Sequence, residues 1–171
     1  MWEMFLVVFV HKNQAPFVTN VQGKYFATGV MNYVGNKGGL LLQFNLFERA
    51  FCIVNCHLPS GVDKAEKRME HLANILRNLA CFKSPASKLE PDASADFSVI
   101  LGDLNSRFMS TYTNHIANVK KSNQMIEKLD ELYQSMHVKQ YCYGYHEEPI
   151  HFEPTYKRST SDNSTYINKK D

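Results

Sequence analysis

The sequence predicts a mixed α/β (α+β) layered β-sandwich flanked by helices, and three observations carry that expectation. Four apolar runs of strand length crowd into the first third of the chain with no crossover helix between them. Two longer stretches place apolar residues at helical spacing, as helices laid over a sheet do. No Gly-rich dinucleotide-binding turn follows a first strand, which disfavours a Rossmann sheet. At 171 residues the chain makes one domain, 1–171; a chain of that size buries roughly two-thirds of its unfolded surface.

The first strand is expected at about 4–11, inside the apolar run Met1 to Val10. Glu3 interrupts that run, which lacks a basic leader and a small-residue cleavage site and is too short to span a bilayer; a core strand is the better reading. Strands at about 24–34, 39–47 and 50–56 follow, with Gly35-Asn36-Lys37-Gly38-Gly39 as a hairpin-type turn between the second and third. A helix is expected at about 64–82. Asp63 is placed to cap it and Glu66 to close a capping box. Met69, Leu72, Ala73, Leu76, Leu79 and Ala80 form its apolar face, opposite Lys67, Glu70, Asn74 and Asn78, so it covers a sheet. Lys83 to Asp96 reads as a surface loop, 97–101 as a strand, and 123–137 as a second amphipathic helix through Met125, Ile126, Leu129, Leu132 and Met136. An irregular tail closes the chain.

Hydrophobic content of 44% and charged content of 21% are ordinary for a globular protein, and a net charge of +2 does not argue for nucleic acid. Any anion must be recognised by local placement of Lys and Arg. Cys52, Cys56, Cys81 and Cys142 make no CxxC pair and read as buried thiols of a reducing compartment. The sequon at Asn163 then falls unused in a polar loop.

The chemistry concentrates where strands end. The run Phe97 to Leu101 stops in Gly102-Asp103-Leu104-Asn105, and Phe51 to Val54 runs into Asn55-Cys56-His57. Each delivers two polar groups at i, i+2 from the carboxyl end of a strand, where ligands of α/β sheets gather. Singly, the pieces have plain readings. Asp103 and Asn105 suit an Asx turn, His57 a satisfied histidine at a strand end, and Lys37 an exposed cation on a Gly-rich turn. His146, Glu147, Glu148, His151 and Glu153 match no zinc spacing and read as a solvated acidic loop.

Taken in order, GNKGG, NCHLPSG, GDLNSR and FEPTYK resemble the signature blocks of the inositol polyphosphate 5-phosphatases, over nearly the whole chain. The resemblance implies the fold of deoxyribonuclease-like endonucleases, exonucleases and phosphatases. It implies that Asp103 orients and deprotonates the attacking water, that Asn105 and His57 hold the scissile 5-phosphate, and that Asn55 supports them. Asn36 and Lys37 would contact the 1-phosphate; Tyr156 and Lys157, helped by Lys170, would read the 4-phosphate. The implied cofactor is Mg²⁺, and the implied substrate is a phosphoinositide headgroup or a soluble inositol phosphate. Peripheral contact with cytosolic membrane faces in the cytoplasm goes with it, without nucleic acid or a transmembrane segment.

The family's Gln-Glu pair, whose Glu ligates the metal, and its closing Pro-Ser-Trp-Cys-Asp-Arg and Ser-Asp-His blocks have no match, and Ser106 stands at a usually aromatic position. The metal ligands therefore stay unknown. The expectation is a central part of a 5-phosphatase domain, truncated at both ends, with little activity of its own. A catalytically dead phosphoinositide-binding remnant is the alternative, and a nuclease of the same fold a more remote one.

Overall fold

The computed structural model describes residues 4–28, 37–79, 95–108, 129–137, 142, 144–149, 152 and 159–161. Four strands, β1 (Val18–Ala27), β2 (Gly38–Leu46), β3 (Arg49–His57) and β4 (Phe97–Asp103), form one sheet in the order β1-β2-β3-β4. β1, β2 and β3 are antiparallel neighbours; β3 and β4 are parallel. A parallel pair needs a crossover, and the helix α1 (Ala65–Leu79) supplies it. A short helix, α2 (Glu131–His137), follows β4 in the chain.

The β2–β3 hairpin is tight. Leu46 pairs with Arg49, and the two residues between them, Phe47 and Glu48, both take positive φ (49° and 66°). That is the turn whose twist matches the flanking strands, here made without glycine or asparagine. Phe47 rests against Phe17, ring centroids 4.7 Å apart, which helps hold the unfavourable backbone. At the other end of this hairpin Thr28 N–H donates to Lys37 O (3.0 Å), so β1 and β2 also meet beside the site.

One face of the sheet is the core. Leu41, Cys52, Val54, Cys56 and Leu58 pack against Leu72, Ile75 and Leu79 of α1. Each such aliphatic side chain contributes about 1.5–3 kcal/mol when fully buried. Gly39 lies directly beneath the helix: a Cβ there would run into Ile75 Cγ2, so α1 sits this close only because position 39 has no side chain. On the second face Phe44, Phe51 and Phe97 stack across β2, β3 and β4 at 5.3 and 4.9 Å. Val99 and Leu101 of β4 stay largely exposed there.

Several expectations change. Residues 4–10 form no strand, because a strand exists through its ladder and none of the described neighbours pairs with them. Phe5, Val7 and Phe9 point outward while Met4, Leu6, Val8 and Val10 are half-buried. The strand expected at 24–34 begins at Val18; its described part ends at Ala27, and 29–34 lie outside the described residues. Most of β1 is exposed, so it carries no apolar period and is specified by pairing with β2. Asp63 sits inside a 3₁₀ turn, Val62–Lys64, that leads into α1, and no side-chain bond caps that turn, so the capping box does not form as expected. The helical face of α1 is Arg68, Met69, Leu72, Ile75 and Leu79. Of the second expected helix, 123–128 lie outside the described residues; α2 is the rest, and it buries Glu131 and Ser135 more deeply than its apolar residues.

Candidate active site

The parallel register pairs His57 with Asp103, so the last residues of β3 and β4 stand side by side at the sheet rim. Their side chains approach to 3.6 Å, His57 Nε2 to Asp103 Oδ2. That is too long for a hydrogen bond, but a third polar atom can bond to both. Lys37 enters from the start of β2, where Gly38 pairs with His57. Its Nζ lies 2.6 Å from His57 Nε2 and 3.5 Å from Nδ1. The Lys37 amine and the Asp103 carboxylate thus both approach the same ring nitrogen of His57. The Asp103 side chain is 65% exposed and His57 20%, an open carboxylate beside a sheltered ring.

Asn105 is held from three sides. Its backbone N–H donates to Asp103 Oδ1 (3.0 Å), the Asx turn that the motif suggested. Its Nδ2 donates to Leu58 O (2.9 Å), and Arg107 Nη2 donates to its Oδ1 (3.2 Å). Its φ of 51° is the left-handed conformation that Asn tolerates. Leu58 N–H in turn donates to Asp103 O (3.0 Å), tying the two strand ends together. Beneath them Gly102, at φ 116°, lets β4 lie close against β3: a Cβ would collide with Cys56 O and Asn55 Oδ1. Asn55 lies one pleat back from the rim and spends its Nδ2 on Phe5 O (2.9 Å), anchoring the segment 4–10.

Cys56, between Asn55 and His57, faces the core; burial, with a smaller contribution from Cys142, pushes its thiol up to about 12. It is no nucleophile at neutral pH. Cys52, Cys56 and Cys142 are buried, and Cys81 lies outside the described residues. His146 and Glu148 contact each other at 3.3 Å in the exposed loop expected of them.

His57, Asp103, Asn105 and Lys37 therefore meet, with Asn55 adjacent. Asn36, Tyr156, Lys157 and Lys170 lie outside the described residues. Sequence reasoning missed Arg68, which is fully buried on α1 and forked onto Glu131 of α2. The available signal was its place on the stripe with Leu72, Ile75 and Leu79, where a solvated arginine does not belong.

Among the described residues no three His, Cys, Asp or Glu side chains gather where an ion would be held. Among the described residues Asp103 is the one carboxylate at the rim, and one of its oxygens already accepts from Asn105. These residues alone do not fit a divalent-cation site, which takes several oxygen ligands.

The profile of the endonuclease/exonuclease/phosphatase family 2 matches residues 1–171. The chain belongs to this family. Among the family's curated proteins, phosphatidylinositol 4,5-bisphosphate 5-phosphatase A of Rattus norvegicus is 32% identical over 162 residues, 94% of this chain. The chain spans only 16% of that relative's length. Among solved structures, the inositol polyphosphate 5-phosphatase domain of SPsynaptojanin, crystallised with inositol (1,4)-bisphosphate and a calcium ion, superposes with a TM-score of 0.76 at 24% identity. That match covers 93% of this chain and 45% of the other, and it settles the mixed α/β fold class of the family. Cimex nitrophorin, in a ferrous NO complex, has the same architecture at a TM-score of 0.58 and 17% identity, covering 91% of this chain and 51% of its own. The fold alone therefore does not determine chemistry. Among the described residues no helix is long and apolar enough to cross a membrane.

Proposed function

We propose that this chain carries the active-site rim of an inositol polyphosphate 5-phosphatase, a phosphomonoesterase that removes the 5-phosphate from a phosphoinositide or a soluble inositol polyphosphate. The observation that supports it is the meeting of the Lys37 ammonium, the His57 imidazole and the Asp103 carboxylate at the carboxyl ends of β3 and β4. Phosphoryl transfer asks a protein chiefly for positioning and charge neutralisation. In this reading the exposed Asp103 carboxylate orients a water in line with the leaving oxygen and takes its proton as the water oxygen attacks phosphorus and the P–O bond to the ring breaks. His57 and Asn105 bind the oxygens of the scissile phosphate, and Asn55 steadies the strand behind them. Asn36 with Lys37 faces the 1-phosphate, and Tyr156, Lys157 and Lys170 the 4-phosphate. Mg²⁺ is the cation the reading requires; the described residues do not hold it by themselves, and their part is to orient water and bind phosphate. The substrate places the protein at cytosolic membrane faces when it is lipid.

The test is release of inorganic phosphate from phosphatidylinositol 4,5-bisphosphate vesicles and from soluble inositol 1,4,5-trisphosphate, each with Mg²⁺. Little turnover by this chain on its own is expected; whatever turnover is detected should fall about 10²–10³-fold in Asp103→Ala, the usual cost of one lost transition-state group. Vesicle binding without phosphate release, abolished by Lys157→Ala, would replace the enzyme with a phosphoinositide-binding remnant. Acid-soluble nucleotide released from DNA would replace it with a nuclease.

A further inference from the structure

Arg68 makes four hydrogen bonds with no solvent exposure at all. Nε donates to Glu131 Oε1 (2.7 Å) and Nη2 to Glu131 Oε2 (2.5 Å), a two-pronged fit to the carboxylate. Nη1 donates both its protons, to Pro59 O (3.1 Å) and Gly61 O (2.5 Å). Those two carbonyls belong to the loop that leaves His57. Glu131 is 4% exposed, and its backbone N–H donates to Arg107 O (3.0 Å), two residues past Asn105.

The pair thus grips the segment behind each half of the rim, the His57 loop through Arg68 and the Asp103–Arg107 segment through Glu131. Nothing about helix packing demands charge here. A buried ion pair is commonly no more stabilising than apolar residues of the same volume, because both ions lose their water. What it supplies is geometry: a planar fork satisfied by four acceptors has one arrangement, whereas aliphatic side chains repack. The direct links across the rim, Leu58 to Asp103 and Asn105 to Leu58, both run through the loop that Arg68 holds.

We infer that Arg68 and Glu131 are positioning residues that set the spacing of His57 against Asp103 and Asn105. This rests on the phosphatase reading only for its catalytic consequence, since the spacing itself is measurable without turnover. The experiment compares the full chain with Arg68→Met/Glu131→Met, which removes both charges together and leaves no ion stranded. ¹⁵N-histidine NMR reads the His57 ring, and phosphate release reads the reaction. The expected result is a melting temperature within a few degrees of the parent, with the His57 ring signals displaced from their positions in the parent. kcat then falls at least 10-fold while KM changes less, because a 1 Å displacement of reacting groups costs rate on the order of 100-fold. His57 signals that stay unmoved in the folded double variant overturn the inference, whatever the turnover. Moved His57 signals support the positioning whether or not the parent chain releases phosphate, so the inference stands or falls separately from the phosphatase reading. If the double variant does not fold, Arg68→Lys serves: it keeps the charge but not the fork, so moved His57 signals support the inference and unmoved ones overturn it.

Discussion

Replacing Gly102 by Ala puts one methyl group between two neighbouring parallel strands at the rim. At φ 116° the added side chain is strained in any surroundings, at a cost on the order of 1–3 kcal/mol. The methyl also meets Cys56 O and N and Asn55 Oδ1, and two of those are backbone atoms that move only with β3. Overpacking of this kind adds about 1–3 kcal/mol. The sum, about 2–6 kcal/mol, is a large part of the roughly 5–15 kcal/mol that holds a domain together. Urea denaturation followed by circular dichroism measures it. With an m-value of about 2 kcal/mol/M the midpoint should fall by about 1–3 M. Gly23→Ala is the matched control, because its Cβ would meet only Leu41 O at an ordinary 3.8 Å and the backbone is not left-handed. Its midpoint should move little. Equal small shifts in the two variants would refute the argument that the rim is closed by a close approach at Gly102.

Three other outcomes are expected. The Cys56 thiol is raised from its ordinary 9.0 to about 12 by burial, so the stability it contributes is complete below pH 9 and drains away as pH climbs toward 12; the slope is about 1.4 kcal/mol per pH unit and should be shallower in Cys56→Ala. Asp130 accepts from Tyr133 N–H at 2.7 Å at the start of α2, so Asp130→Ala should cost about 1 kcal/mol in a thermal or urea melt. If the phosphatase reading holds, EDTA should stop phosphate release and added Mg²⁺ restore it, with Ca²⁺ tested alongside because the structural relative was crystallised with that ion.

What could be read from the residues was whatever local pattern determines. β3 and β4 announce themselves by apolar runs that end in polar pairs, β2 by its apolar run after a Gly-rich turn, and α1 by its stripe. The juxtaposition of His57 and Asp103 followed from the rule that strand ends gather ligands, and the register places them as neighbours. Where pattern is silent, pairing decides. Residues 4–10 look like a strand and are not one among the described residues, while Val18 to Gln22 look like a loop and join the sheet through β2. Arg68 was illegible for a related reason. Its acceptors lie on Pro59, Gly61 and Glu131, and the last is 63 residues away, so no window of sequence around α1 contains the partner that makes burial tolerable.

The parallel pairing of β3 with β4 also dictates an order of events. β1, β2 and β3 zip together through neighbouring hairpins, but Asn105 and Leu58 are 47 residues apart and meet only after α1 has docked and brought β4 alongside. Distant closures of this kind are slow because chain entropy is spent before contacts return it. The rim should therefore be the last region to assemble during refolding, and a probe at His57 should lag behind the fluorescence of Tyr25 on β1.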